Sequence, residues 1–319
     1  MPADIRVGTS GWSYPEGAGA WNGLFYPPRG TRGVRAADEL RYYAERFDTV
    51  EVNSTFYRTP SSSTTRRWAE QTPAGFEFSI KLFQRFTHAG MIGRGQGLPK
   101  PGLEAGGKVL PSPTPSDVDE FRAALDPLVS AGKMGALLVQ FPAGFRSTPE
   151  TRDYLADLLL DFREYPLAIE LRHKTWSDDA GGTAALLDEV SAAWVQIDEP
   201  KFRFSIRQDL GANTTGCYYL RLHGRNAAQW WKHDSPDDRY NYLYSQAELQ
   251  PFASAVKEAT GSVRKAYLYL NNHFAAKSIV NATVLKHQLG MPIEGEYREE
   301  LVERYPELKG VVRIGSSLI

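Results

Sequence analysis

The chain has 319 residues, with 37 Lys plus Arg against 38 Asp plus Glu and a formal net charge of −1. That balance excludes a whole-protein electrostatic footprint for nucleic acid or an anionic membrane, and leaves room only for a local basic pocket. The single cysteine, Cys217, excludes an intramolecular disulfide framework and a Cys-based zinc or iron–sulfur site within one chain.

The opening MPADIRVGTSGW lacks the basic and apolar regions of a secretory signal, and no apolar run reaches the roughly 18–20 residues of a membrane span. The expected compartment is the cytoplasm, with no membrane partner. Runs rich in β-branched and aromatic residues predict strands over 5–10, 49–53, 76–81, 134–141, 167–172, 193–198, 217–223 and 264–271. Apolar residues at helical spacing predict helices over 34–47, 116–130, 150–162, 182–192, 245–260 and 277–290. Ser116 and Ser245 are expected N-caps and Gly290 an expected helix end. This β-α alternation predicts an α/β fold with a parallel sheet and helical crossovers. Eight strands with no second composition regime predict a single (β/α)8 TIM-like barrel domain over residues 1–319.

Two stretches break the rhythm. Residues 89–116 are rich in Gly and Pro and predict a long irregular loop after the third strand. Gly93, Gly95 and Gly97 do not lead from a strand into a helix, so they are not read as a dinucleotide loop. Residues 199–216 are short for a crossover helix and predict an irregular sixth unit.

Period-two alternation sorts each strand into an apolar face, suited to the helices, and a mixed face directed inward. The mixed faces carry Glu51 and Asn53, Lys81, Glu170 and Arg172, Gln196 and Asp198, and Tyr219, Arg221 and His223. With Gln140, Asn271 and Asn272, these charges and amides fall near the C-terminal ends of strands, where barrel enzymes keep their active sites. Burying them without a partner is costly, so the bland alternative is a self-satisfied ion network filling the barrel. After the first strand, Trp12, Tyr14, Trp21 and Tyr26 suit either stacking on a sugar or base or a satellite core, with Trp12 the foremost ligand contact.

An ordered set of motifs runs along nearly the whole chain: Gly8-Thr9-Ser10-Gly11-Trp12, Phe25-Tyr26-Pro27, the Val50–Arg58 stretch VEVNSTFYR, Phe78-Ser79-Ile80-Lys81 and Thr87-His88. Gln140-Phe141-Pro142, Glu170-Leu171-Arg172-His173, Trp176, Arg221-Leu222-His223-Gly224-Arg225 and Asn271-Asn272-His273 complete it. With these motifs the chain resembles the YecE-like family, domain of unknown function 72. The resemblance implies an α/β barrel and a shared pocket, and it implies no reaction.

Four chemistries compete for that pocket. The first is an enzyme using acid/base chemistry on a small anionic ligand, such as a phosphorylated sugar or a nucleotide-like molecule. Arg172 and Arg221 would hold the anion, Lys81 would add a point charge, and Glu170 and His223 would transfer protons. The substrate-binding set is then Trp12, Glu51, Asn53, Gln140, Arg172, Asp198, Arg221, Asn271 and Asn272, and no cofactor is needed. The second is a divalent metal held by Glu51, Glu170, Asp198 and His223 for phosphodiester hydrolysis, although no local ligand motif is present. The third is Schiff-base chemistry at Lys81, ranked lower because neighbouring carboxylates are expected to raise its pKa. The fourth is a non-catalytic barrel that binds a ligand or RNA, with the aromatics of 230–244 and Lys232, Arg225 and Arg239 as the contact surface. Cys217 is expected in the core, His287 near a helix C-terminus and His233 on the surface.

Overall fold

The computed structural model of the chain describes residues 3–28, 38–88, 110–231 and 235–315. Its strands are β1 (Asp4–Thr9), β2 (Thr49–Val52), β3 (Glu77–Lys81), β4 (Met134–Gln140), β5 (Leu167–Glu170), β6 (Ala193–Trp194), β7 (Gln196–Asp198), β8 (Cys217–Leu222), β9 (Lys265–Leu270), β10 (Glu296–Tyr297) and β11 (Arg313–Ile314). The helices are α1 (Glu39–Ala44), α2 (Ser62–Gln71), α3 (Pro115–Ser130), α4 (Pro149–Asp161), α5 (Lys174–Asp178), α6 (Ala180–Asp188), α7 (Gln246–Ala259), α8 (Lys277–Gln288) and α9 (Glu299–Arg304). Most of the loop expected over 89–116, residues 34–37 of the first expected helix and residues 232–234 of the aromatic stretch lie outside the described residues.

The strands form an α/β arrangement of parallel sheets. One has the order β1-β9-β8-β7, a second the order β2-β3-β4-β5-β6, and β10 and β11 make a small parallel pair. Two connections join the larger sheets. Ser10, just beyond β1, and Glu51 of β2 form a parallel bridge, and the Gly11 amide donates to the Glu51 carbonyl at 2.7 Å. Gly8 permits that approach, because a Cβ there would collide with the Thr49 carbonyl oxygen. On the other side, one chain segment serves both sheets: Ala193–Trp194 pair with β5, and Gln196–Asp198 pair with β8. The expected strand over 193–198 is therefore split at Val195, whose amide donates to Ile169.

The alternating faces behave as their chemistry requires. Val50, Val52, Phe78, Ile80, Ile169, Leu171, Leu220 and Leu222 are buried in the hydrophobic core. On the opposite faces, polar side chains from the two sheets meet one another. The Tyr269 hydroxyl of β9 reaches Thr49 Oγ1 of β2 at 2.6 Å and Ser79 Oγ of β3 at 2.9 Å. Tyr267 donates to Glu77 at 2.6 Å, and Tyr219 donates to Glu51 at 2.8 Å. These contacts satisfy the polar groups between the sheets with one another.

Local signals explain the helix ends. Ser245 caps α7 and forms a reciprocal box with Glu248, as expected. The cap of α3 is Thr114, not Ser116: Pro115 takes the first helical position, where its missing N–H costs nothing, and Thr114 pairs reciprocally with Asp117. Gly290 follows α8 with φ +74°, the left-handed conformation that closes many helices. Helix α2 was not expected from periodicity. Its sequence SSTTRRWAEQ is polar overall and buries only Thr65, its apolar face is reduced to Trp68 and Ala69, and its clearest signal is the Ser61 N-cap. The segment 199–216 contains no helix, in keeping with an irregular sixth unit. It lies along the exit of β5 through the Ser205–His173 bridge and the bond from the Ile206 amide to Arg172.

Candidate active site

Four strands deliver an alternating lattice of ions at their C-terminal ends. Arg221 of β8 donates from Nε and Nη2 to the two oxygens of Glu51 at 2.9 and 2.7 Å. Its Nη1 donates to Glu170 of β5 and, at 3.0 Å, to Gln140 Oε1 at the end of β4. Arg172 donates from Nε to the other Glu170 oxygen at 2.6 Å and holds Glu199 at 3.1 Å. Ser10 and Tyr219 also donate to Glu51, at 2.7 and 2.8 Å. Glu51 and Glu170 are fully buried and Arg221 is 1% exposed, so this pairing offsets a desolvation cost of several kcal/mol per ion.

The electrostatics follow from that geometry. Burial alone would push the Glu170 carboxyl up, but Arg172 and Arg221 outweigh it and hold the group well below the usual range. Burial raises Glu199, against the pull of Arg172. Burial brings His223 down to about 3, and Arg221 adds to the effect. Its Nδ1 accepts from Asn271 Nδ2 at 2.8 Å, and its Nε2 lies 3.8 Å from Glu170. The imidazole is therefore neutral at physiological pH.

Lys81 differs from the other cations. It ends β3, is half-buried, and places Nζ 4.1 Å from the centre of the Phe56 ring. Among the described residues no carboxylate lies within ion-pair distance of it. Burial, then Arg221, lowers its pKa to about 7, overcoming Glu170 and Glu51. The expectation that carboxylates would raise this pKa is corrected: the guanidiniums already occupy those carboxylates, and desolvation wins. His88, bonded through Nδ1 to Thr87 at 2.8 Å, is lowered to about 3 by burial and then by Lys81 and Arg172.

The structure brings Glu51, Gln140, Glu170, Arg172, Arg221, His223 and Asn271 into one connected network, with Lys81 beside it. Other expected residues go elsewhere. Asp198 is held by Arg225 at 2.8 and 3.0 Å and by the Tyr244 hydroxyl at 2.6 Å, apart from the lattice. Asn272 donates to Tyr242 and Asn281, at 2.8 and 2.7 Å, and ties down the start of α8. Trp12 sets its ring edge-on to Trp68 of α2 at 5.6 Å, and Trp68 stacks on Phe78, so Trp12 joins the helix-side core. Asn53 stands at the start of the turn after β2, with its side-chain oxygen buried and without a hydrogen-bond partner among the described residues. Glu170 does not suit the proton-transfer role, because both of its oxygens hold guanidiniums. Neutral His223 does not suit the role of a general acid.

The metal reading is corrected as well. Among the described residues no three His, Cys, Asp or Glu side chains converge as a metal site. Of the four ligands expected, Glu51 and Glu170 are bound to arginines and Asp198 lies in a different cluster. Sequence reading missed Glu199, Ser10 and Phe56, and put Tyr219 on an inward face without assigning it to the site. Glu199 follows Asp198 at the point where β7 ends, so strand alternation no longer indicates its direction. Among the described residues no helix is long and apolar enough to cross a membrane.

Comparison with known proteins places this architecture in a family. The model for "Protein of unknown function DUF72" matches residues 6–304. UPF0759 protein YunF of Bacillus subtilis is 24% identical over 299 residues, which are 91% of this chain and 96% of that protein. UPF0759 protein YecE of Escherichia coli K12 is 28% identical over 171 residues, covering 53% of this chain and 48% of that one. A crystal structure of a DUF72 family protein from Enterococcus faecalis superimposes with a TM-score of 0.74 at 23% identity, over 92% of this chain and 100% of that chain. One from Thermotoga maritima gives 0.71 at 29% identity, over 90% and 99%. Motifs, fold and full-length match agree, and the chain belongs to the DUF72 family.

Proposed function

We propose that this chain is a single barrel-like domain and an enzyme that acts on a small anionic molecule at the C-terminal strand ends. Closure of the two larger sheets into a barrel is supported by the Ser10–Glu51 bridge on one side and the shared 193–198 segment on the other. Arg172, with 18% of its side chain exposed, is the anion contact. Lys81 is the proton-transfer group, and the Glu51–Arg221–Glu170 lattice is the rigid support that orients both.

The observation that carries this reading is the contrast among the cations. Arg221 is saturated by carboxylates, whereas Lys81 stands at a strand end beside it, half-buried and without a carboxylate partner among the described residues. A buried amine beside guanidiniums is the kind of group that proton transfer at neutral pH requires.

The test is a panel of sugar phosphates, nucleotides and carboxylates, assayed for thermal stabilisation and turnover. Lys81→Met should abolish turnover and keep binding, while Arg172→Gln should weaken binding about tenfold or more, the scale of a lost charge-assisted bond. Binding by wild-type protein with no turnover across the panel would favour the non-catalytic barrel instead.

A further inference from the structure

We propose that Lys81 forms an imine with a carbonyl compound that also carries an anionic group. This rests on the reading of the strand ends as an active site and adds the reacting group of the substrate. Imine formation needs an amine that is neutral, reachable and fixed beside a second group able to hold the substrate. The structure meets each condition with a separate feature.

Neutrality comes from how charge is shared out. Glu51 and Glu170 are fully buried and bound to Arg221, and Glu170 and Glu199 are bound to Arg172. No carboxylate among the described residues is left for Lys81. Among the described residues Nζ has one close side-chain partner, the face of Phe56, at 4.1 Å. Such a contact is worth about 0.5–2 kcal/mol to an ammonium and does not replace a buried ion pair. The amine accordingly titrates near 7. Access follows from position: Lys81 is half-buried, whereas Arg221 and Glu170 beside it are sealed. Fixation comes from β3, because Lys81 is in register with Leu138 of β4 and its carbonyl accepts from Thr55 Oγ1 at 2.6 Å. Arg172, partly open to solvent, supplies the anion contact.

The step balances without an oxidant or reductant. The lone pair of Nζ adds to the carbonyl carbon and gives a carbinolamine. The former carbonyl oxygen takes up the two protons released by the amine, by way of solvent. The C–O bond then breaks as the C=N bond forms, and one water leaves.

Pyridoxal 5′-phosphate, an aldehyde with a phosphate, is the probe. Wild-type protein is incubated with a limiting amount at neutral pH, reduced with borohydride, digested and mapped by mass spectrometry. The adduct should favour Lys81 over any exposed lysine by about tenfold or more, because an ordinary lysine titrates near 10.4 and is almost wholly protonated. Lys81→Arg should remove that adduct without moving the thermal midpoint by more than a few degrees. Arg172→Gln should raise the probe concentration needed by about tenfold and keep the same adduct at saturation.

Labelling spread over surface lysines with Lys81 unmodified overturns the imine. If the probe then still stabilises wild-type protein against heat but not Arg172→Gln, the anion site stands and only the imine fails. If it stabilises neither, both readings fail.

Discussion

The two ends of the strands use the same ingredients in opposite ways. At the N-terminal end, Lys265 pairs with Glu77 at 2.6 Å and Asp4 at 3.5 Å. Arg6 pairs with Asp4 at 3.0 Å, Glu77 at 3.6 Å and Asp48 at 3.8 Å. Each of these cations faces a carboxylate, and Asp4 and Asp48 are 44% and 47% exposed, so water screens the cluster. At the C-terminal end Glu51, Glu170 and Arg221 are sealed, yet Lys81 lacks a carboxylate partner among the described residues. Exposed charges tolerate almost any pairing, whereas a buried amine without a counter-ion responds by giving up its proton.

Acid should open the C-terminal end first, with the largest effect. His223 and His273 are buried there, His88 is partly buried beside them, and all three are held near 3, below the ordinary histidine value of 6.5. Between those values the unfolded chain binds protons that the folded chain does not, so stability falls as pH drops from 6.5 towards 3. Three such groups give a slope of about 4 kcal/mol per pH unit. Urea unfolding between pH 7 and 4 measures it, and hydrogen exchange at pH 5 should show the loops after β8 and β9 opening before the Arg6–Glu77 region. A flat profile would remove the asymmetry between the ends.

Arg221→Met comes next. It leaves Glu51 and Glu170 buried without their shared cation and should cost about 3–5 kcal/mol in urea unfolding. Glu77→Gln is the matched change at the other end. It weakens the bonds from Lys265 and Tyr267 in a partly screened site and should cost about 1–3 kcal/mol. Borohydride-trapped labelling of Lys81 should survive Glu77→Gln. Equal costs at the two ends would mean that sealing does not separate them.

Lys81→Met should act with the opposite sign. The folded pKa is about 7, below the ordinary lysine value of 10.5. The penalty for burying the ammonium is complete below pH 7, shrinks as pH rises, and is gone above 10.5. Lys81→Met should therefore be more stable than wild type at pH 7, and the gap should narrow by pH 10. A gap independent of pH would show that Lys81 keeps its charge in the folded state.

Much of this site was legible before the fold. Alternation alone put Glu51, Glu170 and Arg221 on inward faces, because strand side chains obey a period of two wherever one face packs on helices. It failed where strands ended: Glu199, one residue past β7, reaches Arg172, while Asp198 turns to Arg225 and Tyr244. It also failed for helix α2, whose polar sequence reduces its apolar face to Trp68 and Ala69. Trp12 shows the same limit, since nothing local distinguishes a residue facing a mouth from one packed on Trp68.

The sequence by itself determined the α/β alternation, the parallel strands, the family and the inward polar faces, because these depend on local periodicity and on ordered motifs. Only the tertiary structure decided which ions pair. Glu170 changes from a candidate proton donor into a clamp for two arginines, and Lys81 changes from an anchored cation into an amine whose pKa burial lowers to about 7. Both outcomes depend on distances between strands far apart in the chain, and in a sealed interior those distances decide which group keeps its charge.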